Sequence, residues 1–299
     1  MEAYELLDFG DGARLERFGD HVTDRPHAGA LAPRRDPSRW AQADLRYDRD
    51  RGWTAIDGEP RPWPCRIADL TLELRPTDAG QVGLFPEHAL TLPWLTAQVR
   101  KRAPGRAADP ADTSAPPEQP APPEPPEPPE VLHLFAYTGL ATLAMARAGA
   151  AVAHLDSSRP AVAWARANAT TSGLGDRPVR WLVDDARDFV AREVRRGRRY
   201  DGIVMDPPSF GHGIKGTARW GIHDDLTALL AACRPILADD GFVLLTAHSE
   251  GLGPDGLHRA LRYAWGRDAG GAENGELALP SGTGARLALS AYARWDRRA

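Results

Sequence analysis

The chain of 299 residues is poor in cysteine, methionine and lysine. Its two cysteines, Cys65 and Cys233, stand in neither a Cys-x-x-Cys nor a Cys/His spacing. No disulfide framework and no metal site are therefore expected, and the pattern suits a reducing, cytoplasmic setting. No run of 18 or more apolar residues occurs, so no membrane span is expected. The opening residues, MEAYELLDFGDG, are acidic and lack an apolar stretch, so no secretory leader is expected. A large excess of one charge is missing too. The formal net charge is −4, but Asp109 to Glu130 alone carries six acids and no base, so the remainder is slightly basic. That balance permits a nucleic-acid partner without demanding one. Lysine is confined to Lys101 and Lys215, and arginine carries the rest of the positive charge.

What is present divides at "PADTSAPPEQPAPPEPPEPPE". Proline repeats with glutamate cannot pack a core and favour extended backbone, so a disordered linker is expected over 104–130. A ligand for a proline-reading domain is the alternative. Before it, in residues 1–103, short apolar alternations ("YELLDFG", "GWTAID", "DLTLELRP") are broken by Gly, Pro and Asp, which predicts small antiparallel sheets. "LPWLTAQVRKR" reads as a helix. After the linker, over 131–299, apolar strands alternate with helical patterns, the signature of an α/β fold with a parallel sheet. "GELALP" and "ARLALSAYARW", joined by Ser-Gly-Thr-Gly, predict a closing antiparallel hairpin.

In open α/β sheets ligands bind at the carboxyl ends of strands. The first strand after the linker runs through Phe135 into "AYTGLAT". Gly139 suits a tight turn, but the GxGxxG fingerprint is absent, which disfavours a pyrophosphate cradle and a nicotinamide dehydrogenase. An ordinary strand-to-helix turn remains open. The second strand ends in "HLDSS", with Asp156 placed 17 residues after Gly139. That is close to the ~20-residue offset at which an acid reaches ribose hydroxyls; a helix cap shared with Ser157 or Ser158 is the alternative. The third strand ends in "DDARDF", where Asp184 or Asp185 can accept from an exocyclic amine, cap the helix, or do both.

The fourth strand stops on Asp206-Pro207-Pro208-Ser209-Phe210. Two prolines stiffen the backbone and remove two N–H donors. Fixed, outward carbonyls, a carboxylate and a flat ring suit a planar, nitrogen-bearing substrate such as a nucleobase. A rigid turn with a core Phe is the plainer alternative.

Together "LFAYTGLATLAMARAGA", "HLDSSRPAVAWARANA", "VDDARDFV", "DGIVMDPPSFGHGIKG" and "LLTAHSEGL" resemble class I S-adenosylmethionine-dependent methyltransferases, in particular bacterial large-subunit ribosomal RNA base methyltransferases. The resemblance covers most of 131–299, and "GQVGLFPEH" extends it weakly upstream. It implies a Rossmann-like sheet behind a small β-rich N-terminal domain, with S-adenosylmethionine as cofactor. It also implies that Phe135, Ala136, Tyr137, Thr138 and Gly139 line the methionine end. Asp156 with Ser157 would then hold the ribose, and Asp185 with Ala186 the adenine. Asp206 through Phe210 would form the floor between methyl group and target base. Phe85 and Glu87 would close the site. Catalysis would be mainly in-line alignment, with Asp206 placed to take a proton.

The sequence departs from its cytosine-C5 relatives. Those use a cysteine after the fifth strand to activate the ring; here that loop reads Thr246-Ala247-His248-Ser249. A nitrogen acceptor is therefore favoured. His248 is either a general base or a structural group. Lys215 can meet a substrate phosphate or simply face water. The run "REVRRGRRY" either complements a helix end or tracks RNA. Ribosomal RNA is the expected substrate; a small molecule or nucleoside, or a degenerate RNA-binding relative, are the alternatives.

Overall fold

The computed structural model describes residues 4–58, 61–103, 127–211 and 219–298. Most of the expected linker (104–126) and Lys215 lie outside the described residues. Glu130, counted with the linker in the sequence, instead opens a strand.

The N-terminal part begins with a five-stranded sheet: β1 (Tyr4–Gly10), β2 (Ala13–Phe18), β3 (His21–Pro26), β4 (Leu45–Asp48) and β5 (Gly52–Ala55), paired in that order. One pairing departs from the antiparallel expectation. β3 and β4 run parallel, Thr23 opposite Leu45. The reason is the long connection between them, which carries a 3-10 turn at Pro37–Gln42 whose Trp40 is buried and donates to Asp8 Oδ2 at 2.9 Å. A crossover of that length permits a parallel return, which a tight turn does not. A hairpin of β6 (Trp63–Ile67) and β7 (Leu70–Leu74) follows, then α1 (Leu92–Arg102).

The hairpin alternates strictly. Trp63, Cys65, Ile67, Leu70, Leu72 and Leu74 are buried, and their neighbours along each strand are half-buried or exposed. Its apolar face joins one core with Val131, Leu143, Ala146 and Val152 of the second part. Helix α1 is anchored to the far end of the chain. Arg102 donates to Asp296 Oδ1 at 2.7 Å, and its guanidinium stacks 5.0 Å from the Phe242 ring.

The second part alternates as the sequence predicts. Its elements are β8 (Glu130–Leu134), α2 (Leu140–Arg147), β9 (Ala151–Asp156), α3 (Arg159–Thr171), β10 (Val179–Val183), α4 (Ala186–Arg195) and β11 (Tyr200–Met205). A two-residue ladder of β12 (Phe210–Gly211) and β13 (Trp220–Gly221) precedes α5 (Ile222–Cys233). Then come β14 (Leu237–Ala247), α6 (Pro254–Trp265), β15 (Glu273–Pro280) and β16 (Arg286–Asp296). The large sheet has the order β10-β9-β8-β11-β14-β16-β15. Its first five strands are parallel, and β16 enters antiparallel as the expected hairpin. Helices cover both faces, so β8 and β11 are buried nearly throughout. The chain winds outward in opposite directions from the β8/β11 pair, and the carboxyl ends there form the rim where such sheets bind ligands. Among the described residues no helix is long and apolar enough to cross a membrane.

Candidate active site

The loop after β8 is held in an unusual backbone. Phe135 and Tyr137 have φ of 54° and 49°, and Gly139 has φ of 93°. Each non-glycine residue in that region costs on the order of 1–3 kcal/mol, and such strain persists only where the surroundings enforce it. Here the Tyr137 amide donates to Asp156 Oδ2 at 2.9 Å and the Ala136 amide to the Leu155 carbonyl at 3.0 Å. Thr138 Oγ1 donates to the Gly83 carbonyl at 2.6 Å, and Asn168 Nδ2 donates to the Thr138 carbonyl at 3.0 Å. A Cβ on Gly139 would lie 3.1 Å from that of Ala165, so glycine serves both the turn and the close helix approach.

Asp156 therefore ties the first loop to the second strand. Its Oδ1 accepts from the Ser158 amide at 2.8 Å. Ser158, not Asp156 or Ser157, caps α3 through the Ala161 amide. Burial pushes the Asp156 carboxyl up, and the amides of Ser158 and Tyr137 pull it back. The Ser157 amide acts on the same carboxylate.

At the third strand end the capping role is realised. Asp185 accepts from the Arg187 amide at 2.9 Å and from its guanidinium at 3.2 and 3.1 Å. Asp184 pairs with Arg192. Asp185 nonetheless lines a cavity with Phe135, Ser157, Ala186, Pro208 and Trp220. A second cavity is walled by Phe85, His88, His133, the Phe135–Gly139 loop and Asp206. The two share Phe135, and between them they take in Phe135–Gly139, Ser157, Asp185, Ala186 and Asp206; Asp156 lines neither.

The fourth strand end is the most highly charged part of the rim. Asp206 Oδ1 accepts from Thr246 Oγ1 at 2.7 Å and lies 3.5 Å from His248 Nδ1; its Oδ2 is 3.6 Å from His88 Nε2. His248 Nε2 is 2.7 Å from Oε1 of Glu87, which is 1% exposed. Burial opposes charge on every member; the mutual contacts outweigh it for Asp206, Glu87 and His248, whereas burial keeps His88 below its ordinary value. His88 and His248, with the Thr246 hydroxyl, hold Asp206 far below the usual carboxylate range. Glu87 is depressed to about 2, chiefly by His248 against its own burial. Burial alone would lower His248, but Asp206 and Glu87 raise it to about 10. Both of its nitrogens face carboxylates, the arrangement of an imidazolium. The raised His248 favours the structural, proton-holding alternative over the general base. It also makes Asp206 a weak proton acceptor, though still a strong hydrogen-bond acceptor.

Phe85 closes this side, its ring 4.7 Å from His248 and 5.6 Å from Tyr137. Glu87, His88 and His248 also present donor atoms within 4.8 Å of one another, a spacing a cation could accept.

The Asp206–Phe210 loop corrects one expectation. Its carbonyls do not all point outward. That of Pro208 accepts from Trp220 Nε1 at 2.7 Å, and that of Ser209 from the Ile222 amide at 3.1 Å. Ser209 Oγ is 2.8 Å from Ser249 Oγ. Phe210 is 81% exposed, so it is not the core residue of the plainer alternative.

Sequence reasoning missed His88, Trp220, Thr246 and Ser249. His88 stands next to Glu87 in "FPEH" and could have been found there; nothing local marks Trp220.

A separate cleft of about 580 Å³ opens beside His248, between the N-terminal sheet and the β15/β16 hairpin, with Arg14, Glu87, Glu250 and Glu276 on its walls. Cys65 and Cys233 are buried, and burial pushes both thiols up to about 12. The arginine run is mostly spent on acids: Arg196 on Glu193, Arg198 on Glu130 and Arg199 on Asp239.

No family model matches the chain. A crystal structure of a SAM-dependent methyltransferase from Agrobacterium tumefaciens is 33% identical, with 99% of this chain and 90% of that one covered at a TM-score of 0.84. One from Streptococcus mutans shares the fold at 16% identity, with 98% and 74% covered and a TM-score of 0.69. Among curated proteins, the ribosomal RNA large subunit methyltransferase K/L of Methylococcus capsulatus is 34% identical over 118 residues, which is 39% of this chain and 16% of that protein. The large subunit methyltransferase K of Neisseria meningitidis is 34% identical over 113 residues, 38% and 32% of the two chains. The chain thus spans no more than about a third of the length of these two curated relatives.

Proposed function

Because the chain belongs to the S-adenosylmethionine-dependent methyltransferases, we propose that it methylates a base of ribosomal RNA, at a nitrogen rather than at C5 of cytosine. Bound at the rim, S-adenosylmethionine would supply an electrophilic methyl group. The residues present fit that cofactor. The strained Phe135–Gly139 loop and the cavity it walls suit the amino-acid end. Asp156, a carboxylate at the end of β9, suits two vicinal hydroxyls. Ser157, Asp185 and Ala186 line the cavity suited to the adenine, with the Asp185 carboxylate already shared with Arg187.

On the acceptor side, Asp206 stays ionised and accepts from an N–H of the target, while Pro207 and Pro208 fix its position. Ser209 is held to Ser249, and Phe210 offers an exposed ring for a base to stack on. Alignment of nucleophile and methyl group is the main contribution. With Asp206 so weakly basic, a proton lost by the acceptor passes to solvent more readily than to this carboxylate.

The observation that carries the nitrogen reading is the identity of the groups around Asp206: histidines, threonine and serine, with both thiols buried in β6 and α5. The curated relatives support the RNA reading by name. A small-molecule or nucleoside substrate is favoured by one feature, the acids Glu250 and Glu276 in the cleft beside the site, which suit an RNA backbone poorly. Mass mapping of ribosomal RNA from a strain lacking the gene decides. A missing methyl group on a base nitrogen is expected; an unaltered map sinks the RNA reading, and a missing cytosine C5 methyl sinks the nitrogen one.

A further inference from the structure

Beneath the first loop lies a buried polar chain with no role so far. His133 of β8, Thr142 of α2 and His154 of β9 are 5%, 0% and 0% exposed. Thr142 Oγ1 is 2.7 Å from His133 Nδ1 and 2.9 Å from His154 Nδ1. Both imidazoles are neutral: burial lowers His133 to about 3 and His154 well below its ordinary value. A hydroxyl donates one proton, so one and only one of the two Nδ1 atoms carries a hydrogen.

His154 decides which. Its Nε2 is enclosed without a hydrogen-bond partner, and the Tyr137 carbonyl acts on the ring, whose Nδ1 is already engaged by Thr142. A carbonyl beside an enclosed ring nitrogen favours a proton there, since two lone pairs would repel. His154 is then protonated at Nε2, and its Nδ1 accepts from Thr142. The Thr142 oxygen in turn accepts from His133 Nδ1–H. His133 is left with a bare lone pair on Nε2. No described residue hydrogen-bonds that nitrogen, and His133 lines the cavity formed by the Phe135–Gly139 loop and Asp206.

We propose that His133 Nε2 is a neutral acceptor site for a primary ammonium, that of the cofactor's amino-acid end, with its tautomer set by Thr142 and His154. This rests on the reading that the chain binds S-adenosylmethionine. A neutral acceptor offers hydrogen-bond direction without adding a third carboxylate beside Asp206 and Glu87. Thr142 and His154 are positioning residues; His133 is the one that touches the ligand.

The test is calorimetry on the full chain with S-adenosylhomocysteine and with 5′-methylthioadenosine, which keeps the adenosine thioether but has no amino-acid end. His133→Leu is expected to weaken S-adenosylhomocysteine about tenfold, the worth of one charge-assisted hydrogen bond, and to leave methylthioadenosine unchanged. His133→Gln, which places an acceptor near the Nε2 position, is expected to recover part of the loss. Independently, ¹⁵N NMR of the unliganded wild type is expected to show a non-protonated Nε2 on His133 and a protonated one on His154. Equal loss of both ligands, no loss of either, or the opposite tautomers overturns the proposal. If the wild type binds neither compound, the methyltransferase reading falls as well. If it binds both and His133→Leu changes nothing, this inference alone falls.

Discussion

The two halves of the rim are built on different principles. The half holding Phe135–Gly139, Asp156 and Asp185 comes from one unbroken run of strands and helices. Its acids are satisfied by amides within a few residues of the next strand end. The half around Asp206 is assembled from three distant stretches: Glu87 and His88 before α1, Asp206 after β11, and Thr246 and His248 at the end of β14. It puts two carboxylates and an imidazolium in buried ground. The first half follows from local rules. The second exists only when the N-terminal part is docked, so it is a latch as well as the proposed acceptor site.

Breaking the second half should have the largest effect. Asp206→Ala removes the acceptor and leaves His248 and His88 without their shared carboxylate. Methyl transfer is expected to fall about 10²–10³-fold, comparable to loss of a preorganised polar group in other active sites. Breaking a buried ion pair costs about 3–5 kcal/mol, so the melting temperature should drop as well. Single-turnover methylation and thermal melting read the two; a variant near wild-type rate would remove Asp206 from the acceptor site. Asp156→Ala cuts only the first half. It is expected to weaken S-adenosylhomocysteine about 10- to 100-fold, through one or two charge-assisted hydrogen bonds, with a smaller change in stability. Calorimetry checks it, and an unchanged affinity would take the ribose role from Asp156.

Titration separates the halves more finely. His248 is raised from 6.5 to about 10, so its stabilising contribution is full below about pH 6.5 and is lost as pH rises through 10. Glu87 is lowered from 4.5 to about 2, so its contribution is present above about pH 4.5 and is lost as pH falls through 2. The melting temperature of wild type should exceed that of His248→Gln most near pH 6, with the gap narrowing steadily toward pH 10. A gap that stays constant would mean His248 is neutral in the fold.

The same division governs what the sequence could disclose. The strand ends, the turn at Gly139 and the closing hairpin were legible because each depends on period, spacing or turn chemistry within about twenty residues. Asp185 was legible as both cap and ligand, and the fold realises the cap. DPPSF was legible as a stiff loop, but the fate of its carbonyls was not. Trp220 and Ile222 reach them from beyond a stretch that carries no local signal. His248 was left between base and structural group because its charge depends on Glu87, 161 residues away in the chain. The parallel β3/β4 pair escaped for a similar reason: alternation gives a strand's faces, and direction comes from the connection.

The smallest expected effect concerns the arginine run, and it sharpens the comparison by marking where the substrate surface ends. Arg198 and Arg199 sit just before β11, whereas Asp206 follows its other end, so the length of the strand separates them from the rim. Both are paired, with Glu130 and Asp239 at 2.5 and 2.6 Å. Exposed pairs of this kind contribute about 0–1 kcal/mol each. Replacing both with alanine should therefore leave the melting temperature nearly unchanged. Affinity for a ribosomal RNA fragment should stay within about twofold of wild type, and the salt dependence of binding should keep its slope. Removing a cation that neutralises one phosphate would reduce that slope by about one. A shallower slope in the double variant would mean that RNA runs across the amino end of the sheet, and the acidic cleft beside His248 would then no longer weigh against an RNA substrate.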